Sequence, residues 1–221
     1  MLYFTSDTHF HHVRILELCP HRPYSTVDEM NRSLISNYNA KINEDDVVIF
    51  LGDLVMGQKH ETVPAVVPRL RGRKYLLLGN HDGGFQRPEE KKTAAFNHYL
   101  ENGLLGVREN CWDLADFLRS VGENNLAETL SVPISICHFP YQGVADHADQ
   151  HQDRYQDLKP LPVNKLLLHG HTHATEKVTS PNMIHIGVDS WNFAPVSLDE
   201  VITLYSSMKE SHNGTIQTHR S

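Results

Sequence analysis

The chain has 221 residues, of which 39% are hydrophobic and 21% are charged. This composition is typical of a globular protein with a real core, and it excludes a disordered chain. A formal net charge of -7 argues against a broad basic face for nucleic acid, although a bound metal could supply local positive charge. We predict one domain over residues 1–208 and a flexible tail over 209–221.

The cysteines and the N-terminus indicate the cell compartment. Cys19, Cys111 and Cys137 form no CxxC pair and are odd in number, which predicts free thiols in a reducing environment. The first residues lack the charged and apolar regions of a signal peptide, and no apolar run has membrane-spanning length. The sequence therefore predicts a cytoplasmic protein without a membrane partner.

Short apolar runs predict buried strands along most of the chain. The runs lack polar alternation, which is typical of strands that are covered on both faces. Nearly all of them end in Asp, Asn or His. The predicted strands and their polar ends occupy residues 2–7, 46–53, 74–82, 133–138, 165–173 and 182–190.

Helices are predicted between some of these strands. Thr26 and Glu29 have the spacing of a capping box and precede an amphipathic stripe. A second helix is predicted to begin near Pro88, with two glutamates in its first turn. Pro68 would break a helix that began at Val63. Residues 103–130 fit either a helix or a strand.

Polar residues at the strand ends predict a metal centre. In layered α/β folds, ligands lie beyond the carboxyl ends of the strands. Imidazole and carboxylate ligands without thiolate suit first-row divalent ions such as Mn, Fe, Zn or Ni. The set is too large for one tetrahedral ion and suits two ions that share a carboxylate. The candidate ligands are Asp7, His9, Asp53, Asn80, His138, His171 and His173.

The local spacing of these residues supports the same interpretation. Two of the ligand pairs are separated by one residue, so an extended chain would point both members of each pair the same way. By the same reasoning His11 and His169 would point away from the metals. Gly52, Gly79 and Gly170 each precede a candidate ligand, where glycine permits sharp turns and close backbone approach.

The order of motifs resembles that of the calcineurin-like metallophosphoesterases. The motifs are DxH at residue 7, GD at 52, GNHD at 79, a lone His138 and GHxH at 170. The opening SDTHF is similar to that of a bacterial and phage branch, which often has Gly where His11 stands. The resemblance implies a four-layer α/β/β/α sandwich of two mixed sheets, with the metals at one edge.

The resemblance also implies a role for each residue. Two divalent metal ions would be bound, with Mn as the first candidate and Fe, Zn, Ni or Mg as alternatives. Asp53 would bridge the ions, His81 would face the substrate phosphate and Asp82 would orient His81. The first ion would bind Asp7, His9, Asp53 and His173, and the second would bind Asp53, Asn80, His138 and His171.

Substrate contacts are the least determined part of the site. His12, Asn80, Tyr141 and Arg154 are candidates, although loop residues of this kind are often only solvated. His147 and His151 lie in a polar stretch and are interpreted as solvated. Asp189 is interpreted as structural.

Function is predicted at the level of reaction class. The leading hypothesis is a binuclear phosphoesterase that hydrolyses a small phosphate ester, a phosphodiester or nucleotide-like compound, by metal-activated water. Alternatives are a phosphomonoesterase, a nuclease acting on short nucleic-acid ends, and a non-catalytic metal-binding module. An intact His81 argues against the last. No extended nucleic-acid surface is expected, and the oligomeric state is left open.

Overall fold

The computed structural model describes residues 1–144 and 155–218, with side chains to residue 210. The helices are α1 (Ile15–Leu18), α2 (Val27–Lys41), α3 (Lys59–Val66), α4 (Glu89–Glu101), α5 (Leu114–Ser120), α6 (Asn124–Glu128) and α7 (Leu198–Thr218). The strands are β1 (Leu2–Thr5), β2 (Val47–Phe50), β3 (Arg73–Leu77), β4 (Gly106–Arg108), β5 (Trp112–Asp113), β6 (Ile134–Ile136), β7 (Leu166–His169), β8 (Val178–Ser180), β9 (Met183–His185) and β10 (Val196–Ser197).

Two five-stranded mixed sheets form the body of the protein. The first has the order β10-β1-β2-β3-β4, in which only β10 runs antiparallel to its neighbour. The second has the order β5-β6-β7-β9-β8, with parallel central strands and antiparallel strands at both edges. These sheets confirm the predicted α/β class with two mixed sheets.

The largest apolar layer lies between the two sheets. Alternate residues of β1, β2 and β3 point into it and meet alternate residues of β6, β7 and β9, because successive side chains of a strand face opposite ways. Helices α5, α6 and α7 add side chains to the same core. The strand residues in this layer include Leu2, Phe4, Val47, Ile49, Leu77, Ile134, Ile136, Leu166, Leu168 and Ile184.

Helices cover the outer face of the first sheet. Met30, Leu34 and Tyr38 of α2 are buried there, together with residues of α3 and α4. The predicted cap of α2 is present, since the Glu29 N–H donates to Thr26 Oγ1 at 3.1 Å. On the second sheet the outer apolar cluster is instead packed by the Phe139 loop and a short 3₁₀ turn, Gln156–Leu158.

Three local expectations need adjustment. Helix α3 begins at Lys59, before Val63, and ends at Val66, ahead of Pro68. Residues 103–130 contain both strand and helix, in short pieces. The α7 backbone is helical to Thr218, so it enters the stretch for which a flexible tail was expected, and the domain boundary at residue 208 stays a prediction.

Across the described ranges, no helix combines the length and apolar character needed to span a membrane.

The expectation of three free thiols is wrong for two of them. Strands β5 and β6 pair with Trp112 opposite Ile136, which places Cys111 and Cys137 next to each other with their Cα atoms 4.4 Å apart. That separation lies within the usual range for disulfides, and the structure joins the two sulfurs. An odd count permits one bridge and one free thiol, and Cys19 is the buried free one. The cytoplasmic location stays a prediction.

Thiol titration tests this pairing. We expect the denatured, unreduced protein to show one reactive thiol, that of Cys19, and to show three after reduction. The Cys19→Ser variant should then show none before reduction. Three reactive thiols in freshly purified, unreduced protein would contradict the bridge.

Candidate metal centre

The carboxyl ends of β1, β2, β3, β6 and β7 meet at one edge of the sandwich. The chain carries a candidate ligand just past each of these strands, as the sequence predicted. All seven candidate ligands lie in one continuous cluster, joined by the distances given below.

A first group of ligand atoms surrounds Asp7. Donor atoms of Asp7, His9 and His173 all lie within 4.8 Å of one another. His9 Nε2 also lies 3.4 Å from Asp53 Oδ2. Four residues that are dispersed over 166 positions of the chain are thus placed around one small volume.

A second group shares its carboxylates with the first. Donor atoms of Asp7, Asp53 and His138 also lie within 4.8 Å of one another. His138 Nε2 is 3.6 Å from Asp53 Oδ2 and 2.9 Å from Asn80 Oδ1. The His171 ring centroid is 5.0 Å from that of His138. The backbone N–H of His171 donates to the Asp7 carboxylate at 3.0 Å. The two carboxylates therefore lie between two ligand groups.

The backbone that presents these ligands is not extended. Asp7 and His9 have φ of 56° and 48°, and His171 and His173 have φ of 70° and 50°. The expectation of period-two geometry is therefore wrong, because the strands end at Thr5 and His169 and the chain turns sharply beyond them. Non-glycine residues seldom adopt this region, and such residues cluster at functional sites.

Glycines at two of the turns make room for the carboxylates. A Cβ at Gly79 would collide with Asp53 Oδ1, and a Cβ at Gly170 would collide with Asp7 Oδ2 and with Ser6. Any larger residue would displace a carboxylate that the centre needs. The close approach expected from the sequence is confirmed at these two glycines and at Gly52, where a Cβ would collide with His138 Nδ1 and the Gly79 backbone.

The donor set fits divalent cations. His9 is only 2% exposed, yet neither ring nitrogen has a hydrogen-bond partner among the described residues. Buried polar atoms without partners are costly, and a cation would satisfy one of these nitrogens. The His138 Nδ1–H donates to the Leu51 carbonyl at 2.8 Å, which leaves Nε2 available on the side of Asp53. Fixing of a ligand imidazole by a carbonyl is the usual arrangement in metal sites.

Comparison with known proteins agrees with this geometry. The family model described as calcineurin-like phosphoesterase matches residues 2–175. The chain belongs to the calcineurin-like phosphoesterase family. Members of the family usually bind divalent metals and hydrolyse phosphate esters, and the resemblance of the motifs is confirmed.

Individual relatives extend over nearly the whole chain. The Gene 66 protein of Mycobacterium phage L5 is 29% identical over 215 residues, covering 94% of this chain and 95% of that protein. An uncharacterised protein of Methanocaldococcus jannaschii is 27% identical and covers 94% and 93%. A solved structure of a protein of unknown function from Aquifex aeolicus matches with a TM-score of 0.62 at 21% identity, covering 92% and 98%. That likeness shows the fold.

A buried ion-pair network holds the candidate ligand His173. Its Nδ1 lies 2.9 Å from Asp189 Oδ2, and Asp189 accepts two further bonds from Arg22, from Nε at 2.8 Å and Nη2 at 2.7 Å. The Arg22 Nη2–H also donates to the Asp7 carbonyl at 2.8 Å. Asp189 and Arg22 thus position the candidate ligands His173 and Asp7. Sequence reasoning assigned Asp189 only a structural role and missed Arg22, because 167 positions separate them.

A second buried residue behind the centre was also missed. His185 is fully buried, and its Nε2 lies 3.8 Å from Asp7 Oδ2. Its Nδ1 lies 2.9 Å from Ser190 Oγ. Burial lowers the pKa of His185 to about 4, so the ring is neutral and adds no positive charge beside Asp7. His185 lies in the predicted strand over 182–190, but it belongs to no ligand motif that would have identified it.

Asp82 has a different role from the one expected. Its carboxylate accepts the backbone N–H groups of Asp53 at 2.7 Å, Leu54 at 3.0 Å and Gly79 at 2.9 Å. It makes no hydrogen bond to His81 in the described part of the chain. Asp82 therefore joins the turns after β2 and β3 and positions Asp53, and the expectation that it orients His81 is not supported.

His81 and His12 lie at the mouth of the centre. The His81 side chain is exposed, its ring centroid is 5.5 Å from that of His9, and its backbone N–H donates to Asp53 Oδ1 at 2.9 Å. Desolvation and the neighbouring imidazoles lower the pKa of His81 to about 4. The His12 ring lies 5.3 Å from that of His9. Both rings are placed to meet a molecule that approaches the ligands.

The other substrate candidates divide into two cases. Tyr141 is buried, and its hydroxyl donates to the Lys165 carbonyl at 3.2 Å, at the start of β7 and away from the metal edge. Its position does not support a substrate contact. Arg154, with His147 and His151, lies outside the described residues. His169 is buried beside Thr179, in agreement with its expected exclusion from the ligands.

Removing the carboxylate behind His173 should weaken metal binding. We expect Asp189→Asn to lower Mn affinity about 10- to 100-fold, the usual effect of losing such a partner. Isothermal titration of the chelator-treated protein measures this, with the circular dichroism spectrum as a check on folding. Asp116→Asn, an exposed change on α5, is the control and should bind as the parent does. Equal affinities in both variants would contradict the assignment.

The metal-free protein should lose stability as the pH rises. Burial opposes the charged form of His173, but the hydrogen bond to Asp189 raises its pKa from 6.5 to about 10. A group whose pKa is raised by folding contributes its full stabilisation at pH values below its unfolded-state pKa. That contribution is lost as the pH rises to its folded-state pKa. We expect the free energy of unfolding to fall between pH of about 6.5 and 10. His173→Gln should flatten this slope in urea titrations.

Proposed function

We propose that the protein is a binuclear metal-dependent phosphoesterase that acts on a small phosphodiester or nucleotide-like substrate. The observation that carries this proposal is the pair of ligand groups sharing Asp7 and Asp53, with the exposed His81 beside them. Family membership supports the coarser statement, a metal-dependent phosphoester hydrolase.

The proposed metal sites divide these ligands between two ions, with Asp53 common to both. Asp7, His9, Asp53 and His173 would hold one ion, and Asp53, Asn80, His138 and His171 would hold the other. Two divalent ions, with Mn as the first candidate for this nitrogen and oxygen set, would lower the pKa of water and neutralise phosphoryl charge. Burial raises the pKa of Asp53 to about 7, with Asp82 and Asp7 adding to this, so cations in this site would favour its charged form.

The chain itself supplies binding and orientation. His81, neutral at pH 7, can donate one N–H to a phosphoryl oxygen, and His12 lies close enough to His9 to add a second contact. Asp82 and Arg22 hold the backbone on either side of the ligands, so the donor atoms are fixed before a substrate arrives.

A histidine substitution tests the proposed catalytic role. We expect His81→Ala to lower kcat about 10²- to 10⁴-fold, the range for loss of a positioned proton-transfer or donor group. Metal affinity should stay unchanged, because the candidate ligands are intact. His60→Ala, which removes an exposed imidazole on α3, is the matched control. Full activity in His81→Ala would contradict the assignment.

A two-substrate assay separates the reaction classes. Bis-p-nitrophenyl phosphate and p-nitrophenyl phosphate are compared with Mn, Ni, Zn and Mg. Preference for the diester supports the proposal, and preference for the monoester supports a phosphomonoesterase. Absence of turnover of both esters with all four metals would contradict an esterase.

A further inference from the structure

A cavity of about 210 Å³ adjoins the candidate metal centre. It lies where the turn after β3 meets the ends of β4 and β6, and His138 forms part of its wall. The volume is below the roughly 300 Å³ at which pockets for drug-sized ligands begin. It therefore suits one ring system attached to a larger molecule rather than a whole nucleotide or a macromolecule.

One side of the cavity is aromatic and continues to the metal ligands. Phe85 and Phe139 line it, with ring centroids 6.1 Å apart. The Phe139 ring lies 4.9 Å from that of His138 and 4.8 Å from that of His171. A planar group on a phosphate held at the metals would thus meet ring faces directly beside the ligands. Aromatic faces favour stacking of planar rings.

Two further residues that line the cavity carry amide groups. The side chains of Gln86 and Asn110 line the cavity and have no hydrogen-bond partner in the described ranges. Both residues also hold the left-handed conformation, with φ of 49° and 66°. Residues with left-handed backbone thus line this cavity as well as the candidate metal turns, and they bring two amide groups to its wall. An amide donates and accepts, as the edge of a nucleobase does.

Charge at the cavity argues against a second phosphate as its occupant, because the wall formed by the described residues has no unpaired lysine or arginine. Lys92 Nζ is 2.9 Å from Glu109 Oε1, so the lining cation is paired with a carboxylate. A neutral planar ring with polar edges is complementary to all three features of the wall: the aromatic faces, the amide groups and the Lys92–Glu109 ion pair. A purely aliphatic group would leave the amides without partners, which lowers affinity.

We propose that this cavity is a subsite for a nucleobase-class ring carried by the substrate phosphate. The inference rests on the proposed function and deepens it, because it identifies the substituent that the metal centre's substrate would carry. Phe85 and Phe139 stack the ring, and Gln86 and Asn110 bind its polar edge.

Titration calorimetry of the Mn-loaded full chain tests the subsite. The probes are adenosine 5′-methylenephosphonate and ribose 5-methylenephosphonate, whose P–C bonds resist hydrolysis and which differ at C1′, where the second carries a hydroxyl in place of the base. We expect the adenosine probe to bind about 5- to 150-fold more tightly, the range that base stacking contributes. Phe85→Leu and Gln86→Asn should each reduce that advantage and leave the ribose probe unchanged. Tyr205→Leu, an aromatic change on α7, is the matched control.

The outcomes distinguish the two proposals. Equal binding of the two probes by the parent protein would overturn the subsite while the phosphoesterase proposal stands. An adenosine advantage that persists undiminished in both cavity variants would also overturn it, because the base would then lie elsewhere. If neither probe binds the Mn-loaded chain, the proposed phosphate site fails as well. Unchanged affinity for the ribose probe in each variant shows that the fold is intact.

Discussion

Two buried carboxylates are the constraint around which this protein is built. Asp7 is fully buried and Asp53 is 2% exposed, and burying such charges costs several kcal/mol each unless they are compensated. The chain meets part of that cost with backbone N–H groups, from His171 to Asp7 and from His81 to Asp53. Cations between the two ligand groups would supply the positive charge that offsets the rest of this cost.

Backbone strain follows from the same constraint. Five candidate ligands hold left-handed φ values, because strands that end at the sheet edge must turn abruptly to direct their side chains inward. The strain persists because the turns are fixed from both sides. Asp82 joins the turns after β2 and β3, and Arg22 binds the carbonyl of Asp7. Burial of apolar side chains in the core between the sheets offsets the free-energy cost of these strained turns.

The candidate substrate surface uses a different part of the architecture. The candidate metal ligands follow strands of both sheets, whereas the cavity forms where the turn after β3 approaches β4 and β6. The disulfide between Cys111 and Cys137 joins two of its walls, since Cys137 lines it and Cys111 follows Asn110. Variation there could change the accepted ester without disturbing the ligands, which is how one fold serves several substrates.

The sequence by itself determined the candidate ligands and their places at strand ends, because buried apolar runs are local signals and motifs such as GNHD and GHxH are contiguous. The capping box of α2 was readable for the same reason. Tertiary structure alone decided the contacts between distant segments: Asp189 with Arg22, His185 beside Asp7, and Cys111 with Cys137. It also decided that Tyr141 points away from the site and that the ligand turns are left-handed. Such features depend on strand pairing and side-chain packing, which no local pattern encodes.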